Sequence, residues 1–170
     1  MMKAYDRVEW LFMTKVLRRL GFGEKLIDMV FRLISSNWYS ILLNGQPKGF
    51  FKSSRGLKQG DPLSPTLFIL AAEVMSRSLN SLMKKKEFKR FRMPRGSQQV
   101  NHLAFADDMI ILCKAEIRTM QMITKTLRKY EDISGQKVNK EKSAIYLHHS
   151  VSGGDAIAAE VATGILRKEF

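Results

Sequence analysis

The sequence predicts one domain of mixed α and β structure, and three observations support that fold class. The chain has 170 residues, of which 45% are apolar and 26% charged, so it can bury a core of its own. Apolar residues recur at helical spacing in several long segments, and short apolar runs bounded by turn residues lie between them. No internal repeat or linker divides the chain, which favours a single domain.

The strong positive charge predicts a polyanionic partner. Lysine and arginine number 29 against 16 aspartate and glutamate residues, which gives a net charge of +13. Such a domain usually binds nucleic acid, although a basic surface that only keeps the protein soluble is the alternative. Cys113 is the single cysteine, which excludes an internal disulfide framework, and no apolar run is long enough for a membrane span. We therefore expect a nucleic-acid partner and no membrane partner.

The first half of the chain predicts two helices, a hairpin and a third, buried helix. Val8–Leu20 and Glu24–Ile34 carry apolar residues at helical spacing, and glycines between them supply a stop. Trp38–Leu43 is apolar and strand-like, and the turn residues that follow it predict a hairpin. Ser64 is expected to cap the third helix, because Pro65 suits the first helical position.

The second half predicts another hairpin, a helix, a strand and a short helix. In the stretch HLAFADDMIILC, Leu103–Leu112 forms two apolar strands that we expect to be buried, joined by a turn at Asp107–Asp108. Ala115–Tyr130 has helical spacing, Lys137–Leu147 is typical of a strand, and Gly154–Glu169 is typical of a short amphipathic helix.

A basic segment lies between the two halves. Lys84–Gly96 carries seven basic residues with two phenylalanines among them. One interpretation is contact with nucleic acid, which basic clusters with aromatic residues suit. A solvated loop is an equally good interpretation, because charged runs suit it. The candidate contact residues are Lys84, Lys85, Lys86, Lys89, Arg90 and Arg92.

Asp107 and Asp108 are adjacent carboxylates within the apolar stretch. A solvent-facing turn would explain them, because aspartate favours turns. Alternatively they hold a divalent cation, since two charges buried among apolar residues need compensation. Two-metal phosphoryl transfer requires several carboxylates around the ions, so at least one more must come from elsewhere in the protein.

The loop Arg55–Pro65, RGLKQGDPLSP, is predicted to bind a ligand. Its glycines let the backbone approach a ligand closely, and Arg55 and Lys58 can meet phosphate charge. Gln59 can both donate and accept hydrogen bonds. A rigid, proline-assisted turn is the alternative interpretation.

Four motifs occur in order along the chain: KAYDRV at Lys3–Val8, RGLKQGDPLSP at Arg55–Pro65, FADD at Phe105–Asp108 and SGQKVNKEKS at Ser134–Ser143. Together they resemble motifs A, B, C and D of a reverse transcriptase of the non-LTR (LINE) retrotransposon type, most similar to those of plants. The resemblance covers nearly the whole chain. It implies the α+β palm of a polymerase with part of the fingers, in which an antiparallel sheet carries motifs A and C and packs on helices.

The resemblance also implies roles for single residues. Asp107 and Asp108 match the metal-binding pair of motif C, and Tyr5 matches the motif A aromatic residue under the incoming sugar. Lys142 matches a motif D lysine suggested to protonate the pyrophosphate leaving group, with a surface lysine at a strand entry as the alternative. The implied nucleotide-binding residues are Tyr5, Arg55, Lys58, Gln59 and Gly60.

The reaction implied by the resemblance is attack of a primer 3′-hydroxyl on the α-phosphate of a dNTP. Two Mg²⁺ or Mn²⁺ ions are the implied cofactors, and they stabilise the attacking and leaving oxygens. The implied partners are an RNA template, a DNA primer and dNTPs.

The sequence departs from the family at motif A. That motif usually begins with an aspartate that is the third metal ligand, and this residue would stand immediately before Met1. Asp6, the second acid of the motif, is expected to be structural. We therefore interpret residues 1–149 as a partial reverse transcriptase domain, and residues 150–170 as a helix that leads towards a missing primer grip and thumb.

Three hypotheses of function follow. In the first, the chain is an RNA-directed DNA polymerase domain that needs an aspartate supplied by a longer protein and is therefore inactive alone. In the second, it is a non-catalytic retrotransposon remnant that at most binds nucleic acid. The third hypothesis is a basic structural protein. Template-dependent incorporation of nucleotides separates the first two, and salt-sensitive RNA binding separates both from the third.

Overall fold

Helices alternate with short strand pairs along the chain, in a computed structural model that describes residues 1–149 and 151–168. In order the elements are α1 (Trp10–Arg19), α2 (Glu24–Ser35), β1 (Trp38–Leu43), β2 (Gln46–Lys52), α3 (Ser64–Leu82), β3 (His102–Phe105), β4 (Asp108–Ile111), α4 (Ile117–Ser134), β5 (Ile145–Tyr146), α5 (Gly153–Thr163) and β6 (Arg167–Lys168). This mixture of helices and small, mostly antiparallel sheets confirms the predicted α+β class. In the described ranges no helix is long and apolar enough to cross a membrane.

Helix α3 is the centre of the hydrophobic core. Leu67, Ala71, Met75 and Leu79 stand four residues apart, and each is at most 2% exposed, so they form one continuous stripe. Helices α1 and α4 pack against α3, and α2 packs against α1. Burial of a leucine or methionine side chain stabilises the fold by about 1.5–3 kcal/mol. The helices therefore supply most of the apolar burial that holds the chain together.

Within residues 1–149 and 151–168, the strands form three separate two-stranded sheets instead of one. The β1–β2 and β3–β4 pairs are antiparallel, whereas β5 and β6 form a short parallel pair. Residues 1–9, all of which the structure describes, contain no extended strand: Met2 makes one antiparallel bridge to Lys137, and Lys3 takes a φ of 46°. The turn at Lys3 ends this pairing after one residue. Motifs A and C therefore do not share a sheet, contrary to the expected palm arrangement.

The β3–β4 hairpin differs from the prediction in its turn and in its burial. The turn is Ala106–Asp107, and Asp108 is already the first residue of β4, where it pairs with Phe105. A positive φ of 51° at Ala106 places the turn one residue earlier than expected. The strands are mostly exposed instead of buried, Phe105 by 84%, because only one face of this two-stranded sheet packs against the core.

Other predicted boundaries are wrong for local reasons. Leu63 holds the N-terminal cap position of α3, and Ser64 is the first helical residue, with no side-chain capping bond. The strand expected over Lys137–Leu147 contracts to β5, because turns and irregular backbone precede it. Helix α5 ends before Gly164, which takes a left-handed φ of 67°. Its predicted end at Glu169 lies outside the described residues.

Gly135, which caps the C-terminus of α4, permits a close approach that a larger residue would block. Its φ is 75°, and a Cβ atom there would lie 2.5 Å from the backbone oxygen of Arg7 and 2.7 Å from Cγ of Glu9. We expect Gly135→Ala to lower the free energy of unfolding by about 3 kcal/mol, because the two segments must separate or α4 must lose its cap. Urea denaturation followed by circular dichroism measures this loss.

The matched control is Gly96→Ala. Gly96 has a similar φ of 83°, but no atom lies within 4 Å of its Cβ position. Only the backbone strain of about 1 kcal/mol is therefore expected. If both variants lost the same free energy of unfolding, the close contact would not be the reason why position 135 needs a glycine.

Cys113 is partly buried, with its Sγ 4.0 Å from Sδ of Met120. Burial raises the pKa of the Cys113 thiol to about 11, so at pH 8 its reactive thiolate is about 200-fold scarcer than in an unfolded chain, whose thiol pKa is near 8.5. We expect DTNB to label the folded protein roughly two orders of magnitude more slowly than the protein unfolded in guanidinium. Similar rates in the two states would contradict this prediction.

Candidate functional site

Three segments far apart in sequence line one open groove of about 650 Å³, which we call the Tyr5 groove. They are the first residues of the chain, the loop Arg55–Pro65 and the turn of the β3–β4 hairpin. The lining residues are Lys3, Ala4, Tyr5, Gln59, Gly60, Asp61, Pro62, Ser64, Pro65 and Asp107. The groove thus brings together four predicted site residues: Tyr5, Gln59, Gly60 and Asp107.

The loop Arg55–Pro65 holds the first segment by backbone hydrogen bonds. The N–H of Leu57 donates to the carbonyl of Tyr5 at 2.8 Å, and the N–H of Gly56 donates to the carbonyl of Val8 at 2.9 Å. Nε1 of Trp10 donates to the carbonyl of Gly56 at 2.7 Å. These bonds satisfy backbone groups that no regular element supports, and they fix the position of Tyr5.

The two glycines of this loop have different roles. Gly56 has a φ of 96°, and a Cβ atom there would lie 2.8 Å from the backbone oxygen of Asp6, so a glycine lets the loop pack on the first segment. Gly60 has a φ of 86° and no atom within 4 Å of its Cβ position, so its backbone borders the open groove. Only Gly60 fits the expectation that a glycine leaves room for a ligand.

The ring of Tyr5 has a rigid floor. It stacks on Phe68 of α3, with ring centroids 4.8 Å apart and planes within 11°, and Phe68 is only 5% exposed. Such pairs contribute about 0.5–1.5 kcal/mol beyond area burial. Nearby, Nε2 of Gln59 donates to Oδ1 of Asp6 at 3.3 Å, which gives Asp6 a structural contact. Sequence reasoning missed Phe68, because an aromatic residue in a buried helix carries no local sign of its partner.

A buried amide holds the first segment from the other side. Gln136 is 1% exposed, and its Nε2 donates to the carbonyl of Ala4 at 3.1 Å. Its Oε1 accepts from the hydroxyl of Tyr130, which also lies 3.2 Å from the carbonyl of Ala71. Burial raises the pKa of Tyr130 to about 12, so the hydroxyl keeps its proton at neutral pH. Sequence reasoning missed Gln136. Its position within the motif SGQKVNKEKS was the only feature of the local sequence that pointed to a role for this residue.

Two backbone hydrogen bonds support the same side. The N–H of Met2 donates to the carbonyl of Lys137 at 2.9 Å, and the N–H of Glu9 donates to the carbonyl of Ser134 at 2.9 Å. The first nine residues are therefore fixed between the loop Arg55–Pro65 and the segment at the end of α4.

Both carboxylates of the hairpin are exposed, so the expectation that they are buried among apolar residues is wrong. Asp107 lines the Tyr5 groove, and its Oδ2 lies 4.0 Å from the amino nitrogen of Met1, which donates to the carbonyl of Asp107 at 2.7 Å. Asp108 begins β4 on the exposed face that also carries Leu103. Water can solvate exposed carboxylates, so burial is no argument for a cation here.

Carboxylate oxygens are nevertheless the ligands that Mg²⁺ prefers. Asp107 and Asp108 have that chemistry. Within residues 1–149 and 151–168, no group of three or more His, Cys, Asp or Glu side chains is placed to hold a metal ion. The residues present therefore fit part of a metal site, with fewer carboxylates than a two-ion site requires.

Besides Asp108, three predicted nucleotide-binding or catalytic residues lie outside the lining of the Tyr5 groove: Arg55, Lys58 and Lys142. Nη1 of Arg55 pairs with Oε1 of Glu9 at 3.3 Å, which directs the guanidinium towards the first segment. Lys58 is exposed on the loop, and Lys142 is exposed in the turn before β5. The backbone N–H of Lys142 donates to Oδ1 of Asn139 at 3.2 Å. The structure thus does not bring these three side chains to Tyr5 and Asp107.

The basic segment after α3 is exposed apart from one anchor. Phe88 is 5% exposed and belongs to the core, whereas Phe91 is 44% exposed. A backbone bridge between Arg90 and Cys113 ties the segment to the residues that follow β4. The predicted contact residues Lys84, Lys85, Lys86, Lys89, Arg90 and Arg92 are all exposed. Their charges are therefore accessible to a polyanion, with Phe91 as the aromatic surface.

Comparisons with known proteins agree with the ordered motifs. A family model described as reverse transcriptase (RNA-dependent DNA polymerase) matches residues 1–161. The chain is 31% identical over 140 residues to a retrovirus-related Pol polyprotein from a type-2 retrotransposable element of Drosophila melanogaster, an alignment that covers 82% of this chain and 12% of that protein. It is 28% identical over 155 residues to a retrovirus-related Pol polyprotein from a type-1 retrotransposable element of Popillia japonica, covering 89% of this chain and 24% of that protein.

A plant protein is also similar. The chain is 46% identical over 67 residues to an uncharacterized mitochondrial protein of Arabidopsis thaliana, covering 39% of this chain and 55% of that protein. The chain thus spans about half of the plant protein and about a quarter or less of the two Pol polyproteins.

Gln136→Ala removes the donor to Ala4 and the acceptor for Tyr130 inside the core. We expect the free energy of unfolding to fall by about 2–3 kcal/mol, because a buried carbonyl loses this donor and a small cavity remains. Gln99→Ala is the matched control, since Nε2 of Gln99 donates to the carbonyl of Phe91 at 2.9 Å in an exposed position. Water can replace that bond, so the control should lose about 0.5 kcal/mol or less in urea denaturation. Equal losses would exclude the buried amide as the main support of the first segment.

Proposed function

Because this chain belongs to the reverse transcriptase family, we propose that it is part of an RNA-directed DNA polymerase of a non-LTR retrotransposon. The proposed reaction is attack of a primer 3′-hydroxyl on the α-phosphate of a dNTP, directed by an RNA template. The observation that carries the proposal is the Tyr5 groove, where residues from motifs A, B and C line one open space.

In this proposal the groove binds the incoming nucleotide. The ring of Tyr5, held by its stacking on Phe68, lies under the sugar. The amide of Gln59 offers a donor and an acceptor, and the backbone at Gly60 leaves room for the nucleotide. Lys3 also lines the groove and supplies a positive charge for the triphosphate. Arg55, Lys58 and Lys142 act only if bound substrates or a rearrangement bring them to the groove.

The reverse transcriptase family uses divalent metal ions, and we propose that Asp107 and Asp108 are this chain's ligands for Mg²⁺ or Mn²⁺. The ions, when bound, stabilise charge on the attacking and leaving oxygens. The amino nitrogen of Met1 lies 4.0 Å from Oδ2 of Asp107, so a residue joined to that nitrogen would lie beside the same carboxylate. We propose that an aspartate there completes the donor set in a longer protein.

An alternative function is favoured by the exposed basic segment after α3, whose cationic side chains and Phe91 suit a non-catalytic remnant that binds nucleic acid. In the main proposal, residues 1–149 form the partial polymerase domain, and residues 150–170 lead towards a primer grip and thumb. The RNA template and DNA primer are its proposed partners.

We expect the chain alone to give no primer extension on an RNA template with dNTPs and Mg²⁺, because no third carboxylate joins Asp107 and Asp108 among the described residues. The informative variants carry one added residue, aspartate or asparagine, between an initiator methionine and Met1. The aspartate-extended chain should bind Mn²⁺ about tenfold more tightly than the asparagine-extended chain, as electron paramagnetic resonance titration measures. Asp107→Ala in the aspartate-extended chain should abolish this gain.

The two extended chains have the same length and both lack the ammonium group at Met1, so they differ in one carboxylate. Equal Mn²⁺ affinities would overturn the proposed metal site and favour the remnant. The unextended chain could instead incorporate nucleotides, and Asp107→Ala could abolish that activity. This result would show that the missing aspartate is not required.

A further inference from the structure

A second open groove, of about 490 Å³, lies between α4 and α5, and we call it the α4–α5 groove. Its lining includes Gln121, Lys125, Arg128, Lys129 and Asp132 of α4, with Ala162 of α5. We infer that this groove binds the phosphodiester backbone of nucleic acid, as a contact surface separate from the Tyr5 groove. The inference goes beyond the proposed function, because it concerns residues outside the four motifs and does not depend on catalysis.

The three cations of this groove have no acidic partner within the described part of the chain. On α2 and α3, Arg32 pairs with Asp28 at 2.9 Å and Arg77 pairs with Glu73 at 2.8 Å, both four residues apart. Arg128 stands four residues before Asp132, yet no ion pair forms between their side chains within 4.0 Å. The helix thus leaves unpaired a cation that its own sequence could have neutralised.

The arrangement is also unfavourable for an isolated helix. Lys125 and Lys129 are four residues apart, and Lys125 and Arg128 are three apart, so like charges are neighbours on the helix surface. All three side chains are exposed. Asp132, three residues after Lys129 and four after Arg128, offsets only part of this repulsion, and such a cluster of cations is typical of a binding surface. A ligand with closely spaced negative charges would remove the repulsion.

The shape and chemistry of the groove favour a phosphate backbone. Successive turns of α4 set these cations about 5–6 Å apart along one face. Guanidinium forks such as that of Arg128 bind phosphate through two hydrogen bonds, and Gln121 adds a neutral donor beside the lysines. The single carboxylate in the lining, Asp132, leaves the balance of charge positive.

The α4–α5 groove and the Tyr5 groove have no lining residue in common. The opposite face of α4 carries Thr119, Ile123 and Tyr130, which are at most 6% exposed, so that helix stands between the α4–α5 groove and the core. The cations therefore do not serve the Tyr5 groove directly. One molecule can present two faces to nucleic acid at the same time.

The test compares two variants that lose the same charge. The groove variant carries Lys125→Gln, Arg128→Gln and Lys129→Gln, and the control carries Lys15→Gln, Arg19→Gln and Lys25→Gln at exposed positions of α1 and α2. Glutamine is a good helix former, and the thermal midpoint by circular dichroism confirms that each variant folds. The probes are fluorescein-labelled 20-nucleotide RNA and DNA of one sequence, and anisotropy is measured from about 50 to 200 mM KCl.

We expect the groove variant to bind RNA, DNA or both at least tenfold more weakly than the unchanged chain at low salt. The slope of log affinity against log salt should fall by about 2, because three phosphate contacts are lost. The control should change the slope by less than about 0.5. Equal effects in both variants would overturn the inference, since net charge alone would then explain binding. If poly-glutamate displaced the labelled probes as effectively as unlabelled RNA does, the inference would also be overturned. The groove would then suit an acidic protein partner.

The outcome is distinguishable from failure of the proposed function. In the aspartate-extended chain, the three groove substitutions should leave Mn²⁺ affinity unchanged, because they do not touch Asp107 or Tyr5. A loss of salt-dependent RNA binding with unchanged Mn²⁺ affinity supports the inference. A parallel loss of both would overturn it, since the substitutions would then act through the fold.

Discussion

The candidate site depends on how the backbone of residues 1–9 finds hydrogen-bond partners. This segment has neither a helix nor an extended strand, so its amide and carbonyl groups must be satisfied by other parts of the chain. The loop Arg55–Pro65 supplies partners on one side, and Gln136 with the end of α4 supplies them on the other. Gly56 and Gly135 let both neighbours come closer than a Cβ atom would allow. The placement of Tyr5 follows from these two contacts.

The sheets contribute little to this support, which comes from the helical core. Phe50 of the β1–β2 hairpin is 76% exposed and Phe105 of the β3–β4 hairpin is 84% exposed. A two-stranded hairpin is marginally stable by itself. Asp107 and Asp108 are therefore carried by an element whose position depends on the packing of Met109 and Ile111 against the hydrophobic core. The site combines a rigid floor, from Phe68 under Tyr5, with carboxylates at a solvent-exposed turn.

The two grooves differ in the charges that line them. The Tyr5 groove contains Asp107 with Lys3, whereas the α4–α5 groove is lined mainly by cations such as Arg128. The two grooves share no lining residue, and exposed charges further apart than about 10 Å are largely screened at 0.1 M salt. Each surface therefore acts through its own contacts, carboxylates with metal cations in one proposal and cations with phosphates in the other. The net charge of +13 favours an anionic partner for the chain as a whole.

The sequence by itself determined the family, through four motifs in order, and the helices α1 to α4, because apolar periodicity and glycine stops are local properties. It also predicted Tyr5, Gln59, Gly60 and Asp107 as site residues, and all four line one groove. Tertiary structure alone decided that the hairpin carboxylates are exposed, that Arg55 pairs with Glu9, and that Phe68 and Gln136 hold the first segment. These facts depend on contacts between segments that are distant in sequence. Side-chain packing selects those contacts, and no local sequence pattern encodes that packing.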